Sequence, residues 1–258
     1  MRSCRSFLRK LFAGSILLIL TQANINAQDI YLGVGYTASY WPLVGLNNVI
    51  DHYQDQRINY PPSVNPEDEY TSSVGSINLL AGWTGSFGYL IKENLNLEVK
   101  YMNRRNNQWS SQVETAAGES FQRSLNLKTN TIGFGASRLI LGKKRDFIVG
   151  GTIDFTNLDV DVTEANQTAF GVVSQTMFGF TGFMKFIYYL SPKTPLGLSF
   201  NPYMQFNLIP ADFGALNQTL NPNTYRQLST NQTKGGYFNF GIEVQLAYFI
   251  YTRFNKGE

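Results

Sequence analysis

The chain has 258 residues, 43% of them hydrophobic, 14% aromatic and only 15% charged, where an average soluble domain is roughly a quarter charged. This excludes a disordered chain and a charge-coated soluble enzyme. The formal net charge of +3 rests on Arg2, Arg5, Arg9 and Lys10; without them 17 basic residues face 18 acidic ones, so the surplus gives no ground for binding nucleic acid.

Those four cations open the chain. They precede an apolar run, Leu11 to Leu20, and the small residue Ala27, which is the pattern of a cleaved secretory signal over residues 1–27. The run is too short to span a bilayer as a helix. Cys4, the only cysteine, leaves with it, so residues 28–258 carry no disulfide or cysteine-based metal site.

From Gln28 onward the dominant signal is an alternation of period two, which marks amphipathic strands. The first covers Asp29 to Tyr40, with Ile30, Leu32, Val34 and Tyr36 on one parity and Tyr31, Gly33, Gly35 and Thr37 on the other. A second runs from Ser76 to Tyr89. A turn at Lys92-Glu93-Asn94 leads to a third, where Leu95, Leu97, Val99 and Tyr101 alternate with Asn96, Glu98 and Lys100. The fourth, Ser124 to Leu141, changes parity between Leu127 and Ile132, which predicts a bulge near Asn130-Thr131. After Gly142-Lys143-Lys144-Arg145 the fifth sets Phe147, Val149, Ile153 and Phe155 against Gly150, Thr152, Asp154 and Thr156. The sixth covers Phe170 to Leu190, and Ser191 to Pro195 then turns into a seventh, Leu196 to Asn207. The eighth alternates most regularly, with Phe238, Phe240, Ile242, Val244, Leu246, Tyr248 and Ile250 opposite Asn239, Gly241, Glu243, Gln245 and Ala247. The connections 42–73, 104–123, 157–169 and 208–235 are long, and those between them are short.

This arrangement predicts an all-β fold: an eight-stranded antiparallel up-and-down transmembrane β-barrel with short periplasmic turns and long extracellular loops. A soluble ligand-binding barrel has the same period, but eight strands cannot enclose this many Phe and Trp side chains, so the apolar face must be outside. Tyr40, Trp41, Tyr89, Tyr101, Tyr188 and Tyr251 then fall near strand ends, as interfacial aromatics do. The inward set contains Glu98, Lys100, Lys128, Asp154, Lys185 and Glu243, with Arg138 as a further candidate. Charges of both signs in a narrow lumen predict an ion-pair network that plugs it.

The alternating strands and the short–long connections resemble the small eight-stranded outer-membrane barrels of the outer-membrane protein A and X type, and their relatives in Bacteroidota. The resemblance lies in the pattern of residues 28–258, without a specific motif. It implies an integral outer-membrane protein in contact with outer-membrane lipid and lipopolysaccharide, with no cofactor. Leu246, Tyr248, Ile250 and Phe254 look like a signal to the barrel-assembly machinery, although Thr252 interrupts that apolar face and Asn255 to Glu258 run past it.

Motifs that carry chemistry are sparse. His52, the only histidine, lies in a short helical stretch of the first loop with Asp51 and Asp55, and Ser63, Ser72 and Ser73 follow. Such groups could serve a lipid A modifying enzyme, but nothing fixes their geometry, no Gly-x-Ser-x-Gly elbow is present, and a solvated loop histidine is the favoured explanation. Asp159, Asp161 and Glu164 have spacing for a Ca²⁺ loop without its glycine ladder. Glu67-Asp68-Glu69 reads as a solvated loop tip, Lys143-Lys144-Arg145 as a turn, and the Asn-Gln-Thr sequons at Asn166, Asn217 and Asn231 as polar loop sequence. The long connections occupy roughly 90 residues, more than barrel closure needs. The first functional reading is therefore a nonenzymatic barrel whose loops contact a larger outer-membrane complex serving secretion, uptake or adhesion. A narrow conduit for small hydrophobic molecules, like the outer-membrane protein W type, is the second, and a lipid A enzyme using His52 the third.

Overall fold

A computed structural model describes residues 30–58, 69–70, 75–92, 95–106, 109–114, 120–141, 145–164, 168–191, 195–221 and 228–250. In chain order the elements are β1 (Ile30–Tyr40), α1 (Val44–Ile58), β2 (Glu69–Tyr70), β3 (Leu79–Lys92), β4 (Leu95–Arg105), β5 (Trp109–Glu114) and β6 (Ser120–Leu141). They continue with β7 (Arg145–Glu164), β8 (Phe170–Tyr189), β9 (Leu196–Asn207), β10 (Ala211–Asp212), α2 (Gly214–Leu220), β11 (Lys234–Gly235) and β12 (Phe238–Ile250). The signal segment 1–27 and the chain end from Tyr251 lie outside the described residues.

Eight of these strands close a barrel in the order β1, β3, β4, β6, β7, β8, β9, β12, all antiparallel. The last pairs with the first over the whole length of β1, from Ile30 against Ile250 to Tyr40 against Phe240. The register can be followed once around from Asn130 through Asn103, Trp83, Tyr36, Val244, Phe200, Phe186 and Phe147. It returns to β6 at Leu141, eleven residues further on, one of which belongs to the register shift between Leu139 and Leu141. A stagger of about ten residues over eight strands tilts them by about 40°.

That shift is the only one in the pairing of β6, so the bulge expected near Asn130-Thr131 is not there. The parity change has another cause. Along β6 the inward face is odd throughout: Leu125 and Leu127 near the loop end, then Thr129, Thr131 and Gly133. β7 repeats this with inward Leu158, Val160 and Val162 above Thr156 and Asp154, and β8 with Val173 and Met177 above Gly179 and Thr181. The strands keep their facing while the polarity of the two faces is exchanged. Toward the turns the barrel is apolar outside and polar inside, and toward the loops the reverse.

The inverted part is tall only on one side. β6, β7 and β8 continue past the ends of β1, β3, β9 and β12, and β5 pairs with the upper half of β6. Connections expected at 104–123 and 157–169 are therefore largely strand. The helices fill the open side. Leu46, Val49, Ile50 and Tyr53 recur at helical spacing along α1 and are buried, while Asp51 and Asp55 face outward. With Leu216 and Leu220 of α2, Trp41, Leu43, Phe213 and the inward residues of the tall wall, they form one apolar core inside the loop end. Such a core contributes roughly 1.5–3 kcal/mol per buried side chain, offset by ordering entropy, and gives the loop end a fixed shape.

Candidate functional site

Below this plug the lumen is filled in layers. At the turn end Tyr31, Ile148, Ile187 and Ala247 pack together. Above them the ammonium of Lys185 pairs with Glu98 and donates to the Tyr31 hydroxyl. Lys100 pairs with Glu243, whose Oε2 accepts from Gln245 at 3.2 Å and Asn201 at 3.4 Å. Both lysines also lie over rings, Lys100 4.6 Å from the centroid of Tyr203 and Lys185 5.0 Å from that of Phe183. Met102, Phe183 and Tyr203 form the next apolar layer. The inward glycines make room for these rings: a Cβ at Gly88 would overlap Tyr31, and one at Gly241 would overlap Tyr203.

The uppermost polar layer centres on Arg104, which the sequence had placed in a loop. It is fully buried and donates to Tyr203 at 3.2 Å, Thr131 at 3.1 Å and Gln205 at 3.4 Å. Asp154 accepts from Thr152 at 2.6 Å, from Thr181, and from Gln205 at 3.3 Å. The side chain of Gln205 thus joins guanidinium to carboxylate, and the lumen holds Lys100, Arg104 and Lys185 against Glu98, Asp154 and Glu243. This balance removes the net charge that a low-dielectric interior penalises.

Lys128 does not join this network. It faces outward on β6, as does exposed Arg138, because the even parity of that strand is the outer one. Trp41 is likewise not at an interface: it is fully buried in the plug and its Nε1 donates to the carbonyl of Gly236 at 3.0 Å. Tyr40 and Tyr188 are exposed at opposite ends of the belt, Tyr89 lies at the turn end, and Tyr101 is half-buried toward the loop end. Leu246 and Tyr248 are exposed on the outer face of β12. The side chain of Ile250 and all of Phe254 and Tyr251 lie outside the described residues.

The outer wall is graded. Tyr101, Ile132 and Phe155 form an apolar row on β4, β6 and β7; Asn103, Asn130 and Asn157 form an amide row above it; Arg105, Lys128 and Asp159 form a charged row above that. Tyr101 donates its hydroxyl to Asn130 Oδ1 at 3.0 Å, and Asn103 donates to the same oxygen at 2.6 Å. Along β12 the outward series runs from Phe238 to Tyr248. At roughly 3.3 Å per residue and a tilt of roughly 40°, it covers about 25 Å of height, the thickness of the apolar band of bilayer-spanning barrels. A belt of this height around a neutralised polar interior defines a membrane-spanning β-barrel.

The other candidate sites do not assemble. Asp159 and Asp161 sit on the outer face of β7, not in a loop, and Asp159 accepts from Ser174 at 2.7 Å. An extended strand cannot wrap their oxygens around a cation as a loop does, and no metal-holding cluster occurs among the described residues. His52 lies on α1, where its buried Nε2 has no partner among the described residues, and Ser63, Ser72 and Ser73 lie outside them. Asn217 is buried on α2 and Asn231 is exposed in a turn; Asn166, Glu67-Asp68 and Lys143-Lys144 are outside the described residues.

No protein-family model matches the chain, and no curated protein does. Among solved structures it is similar to Ail, the attachment invasion locus protein of Yersinia pestis, at 8% identity and a TM-score of 0.40, covering 86% of this chain and 97% of that one. It is also similar to Neisserial surface protein A, with 11% identity, a TM-score of 0.38 and coverages of 85% and 96%. The outer membrane protein OprG of Pseudomonas aeruginosa gives 9% identity, 0.38, and coverages of 86% and 94%.

Trp41 and Trp83, two of the three tryptophans, lie on opposite sides of the wall and provide a test of the facing. In vesicles of brominated lipid, a variant retaining only Trp83, which is exposed on the belt, is expected to lose most of its fluorescence. One retaining only Trp41 is expected to be nearly unquenched. Equal quenching would contradict the inversion.

Proposed function

We propose that the protein is a nonenzymatic, sealed barrel of the bacterial outer membrane, exported through the segment 1–27, that presents a rigid loop-end platform to a larger outer-membrane assembly. One observation carries this reading: the loop end is built as a folded domain, with its own apolar core, two helices and a polar three-stranded wall. A barrel that needed only to close and to persist in lipid would have no use for ordered structure there. Ser174, Thr176, Asn126 and Asn157, interspersed with Lys128, Asp159 and Asp161, give the outer face of that wall a polar chemistry, which suits reversible contact with a partner. The filled lumen speaks against axial passage of solutes, and the solitary His52 against hydrolysis.

Gentle extraction of a tagged copy from native outer membranes is expected to recover a stoichiometric protein partner, and arginine at both Ser174 and Thr176 is expected to release it. Recovery of the barrel alone from untreated membranes would overturn the platform reading. In planar bilayers the purified protein is expected to give no stepwise conductance; porin-sized steps would overturn the seal.

A further inference from the structure

We propose that Arg105 and Lys128 form a binding site for the phosphate of an outer-leaflet lipid, held against the barrel wall where apolar surface gives way to polar. The proposal rests on the membrane reading above. The two residues are register partners on adjacent strands β4 and β6, and both side chains face outward. Like charges directly opposite each other on a sheet repel. Neither forms an ion pair among the described residues, so the sheet holds two cations side by side with no anion of its own between them. Asp159, the register partner of Lys128 on the far side, is hydrogen-bonded by Ser174 and borders the patch.

The surface beneath the cations identifies the anion as part of a lipid. One step down the wall, Asn103 and Asn130 are locked together and to the Tyr101 hydroxyl. One step further, the rings of Trp83 and Tyr101 pack at 4.9 Å and open onto the apolar belt. A phosphate between the guanidinium and the ammonium would place attached acyl chains down this aromatic face, with the amides beside the ester or glycosidic region. Arg supplies a forked, bidentate contact and Lys a point charge. A free phosphate ion would use the cations and leave the rest of the surface idle.

Each interfacial cation contributes about fivefold to the binding of an anionic lipid. The full chain, folded in detergent and checked by its heat-modifiable migration, is titrated with phosphorylated lipid A and bound lipid is counted by native mass spectrometry. Exchange of both residues for glutamine is expected to weaken binding about twenty-five-fold, while Arg105→Lys retains most of it. Asp159→Asn, which removes the bordering negative charge, is expected to strengthen it. Dephosphorylated lipid A should bind the wild type and the double variant alike. Unchanged affinity of the double variant for phosphorylated lipid would overturn the proposal, as would displacement of the lipid by inorganic phosphate at equal concentration. A chain that binds lipid poorly yet migrates as a folded barrel fails only here; one that never attains the folded migration undermines the membrane reading as well.

Discussion

Lys185→Met is expected to destabilise the barrel by about 3–5 kcal/mol, the range found when one member of a buried ion pair is removed. The lysine is buried beside Glu98 and the Tyr31 hydroxyl, beneath the ring of Phe183. With its ammonium gone, the Glu98 carboxylate remains in the lumen, no water replaces the cation at once, and the charge balance with Lys100, Arg104, Asp154 and Glu243 is lost. The loss should be read as a lower urea midpoint for unfolding from lipid vesicles. Adding Glu98→Gln to Lys185→Met should restore most of the stability, because both charges then leave together. A single variant as stable as the wild type would mean that the lumen is hydrated enough to solvate Glu98 and is not sealed at this level.

Trp41→Ala is expected to cost about 3–5 kcal/mol at the loop end, as for other fully buried aromatics. The side chain is enclosed by the plug, its indole N–H is satisfied by Gly236, and the Arg104 guanidinium lies 5.7 Å from its ring. The substitution opens a cavity between α1 and the polar layer below. Limited proteolysis should then cut within residues 208–221 or 228–235 in the variant and not in the wild type, while the β-barrel below keeps its heat-modifiable migration. Tyr40→Ala, one residue earlier but exposed on the belt, should leave the protease pattern unchanged. Equal sensitivity of the two variants would place Trp41 at the interface after all.

The sequence carried the barrel more fully than the plug, for a physical reason. β9 and β12 lie wholly within the belt, so every outward residue is apolar or aromatic and period two can be read without an assumption about height. β6, β7 and β8 pass through the belt and out of it. If the apolar face is held outside along a whole strand, Leu125 and Leu127 require a slip of register and Asn157 to Glu164 becomes a loop. The same assumption drew Lys128 into the lumen and left Arg104 out. Alternation was present in all three strands; what was missing was the recognition that its sign reverses with the surroundings. Trp41 was misplaced because aromatic identity near a strand end does not distinguish a ring in lipid headgroups from one beneath a helix. Only the partner surfaces, α1 and the Gly236 carbonyl, make that distinction, and both are distant in sequence.

The plug also bears on where a closed barrel can come apart. β1 and β12 are neighbouring strands joined by no turn or loop at either end of their shared edge, so only non-covalent contacts hold the ring shut there. The chain leaves β1 directly into Trp41 and α1, and enters β12 directly from β11 and Gly236. Trp41 and Gly236 are bonded across this junction, and α1 packs against β11 above it. The loop end therefore acts as a buckle over the seam. Parting the first and last strands would require unfastening it, which keeps the edges of an inserted barrel from being offered to a neighbouring one.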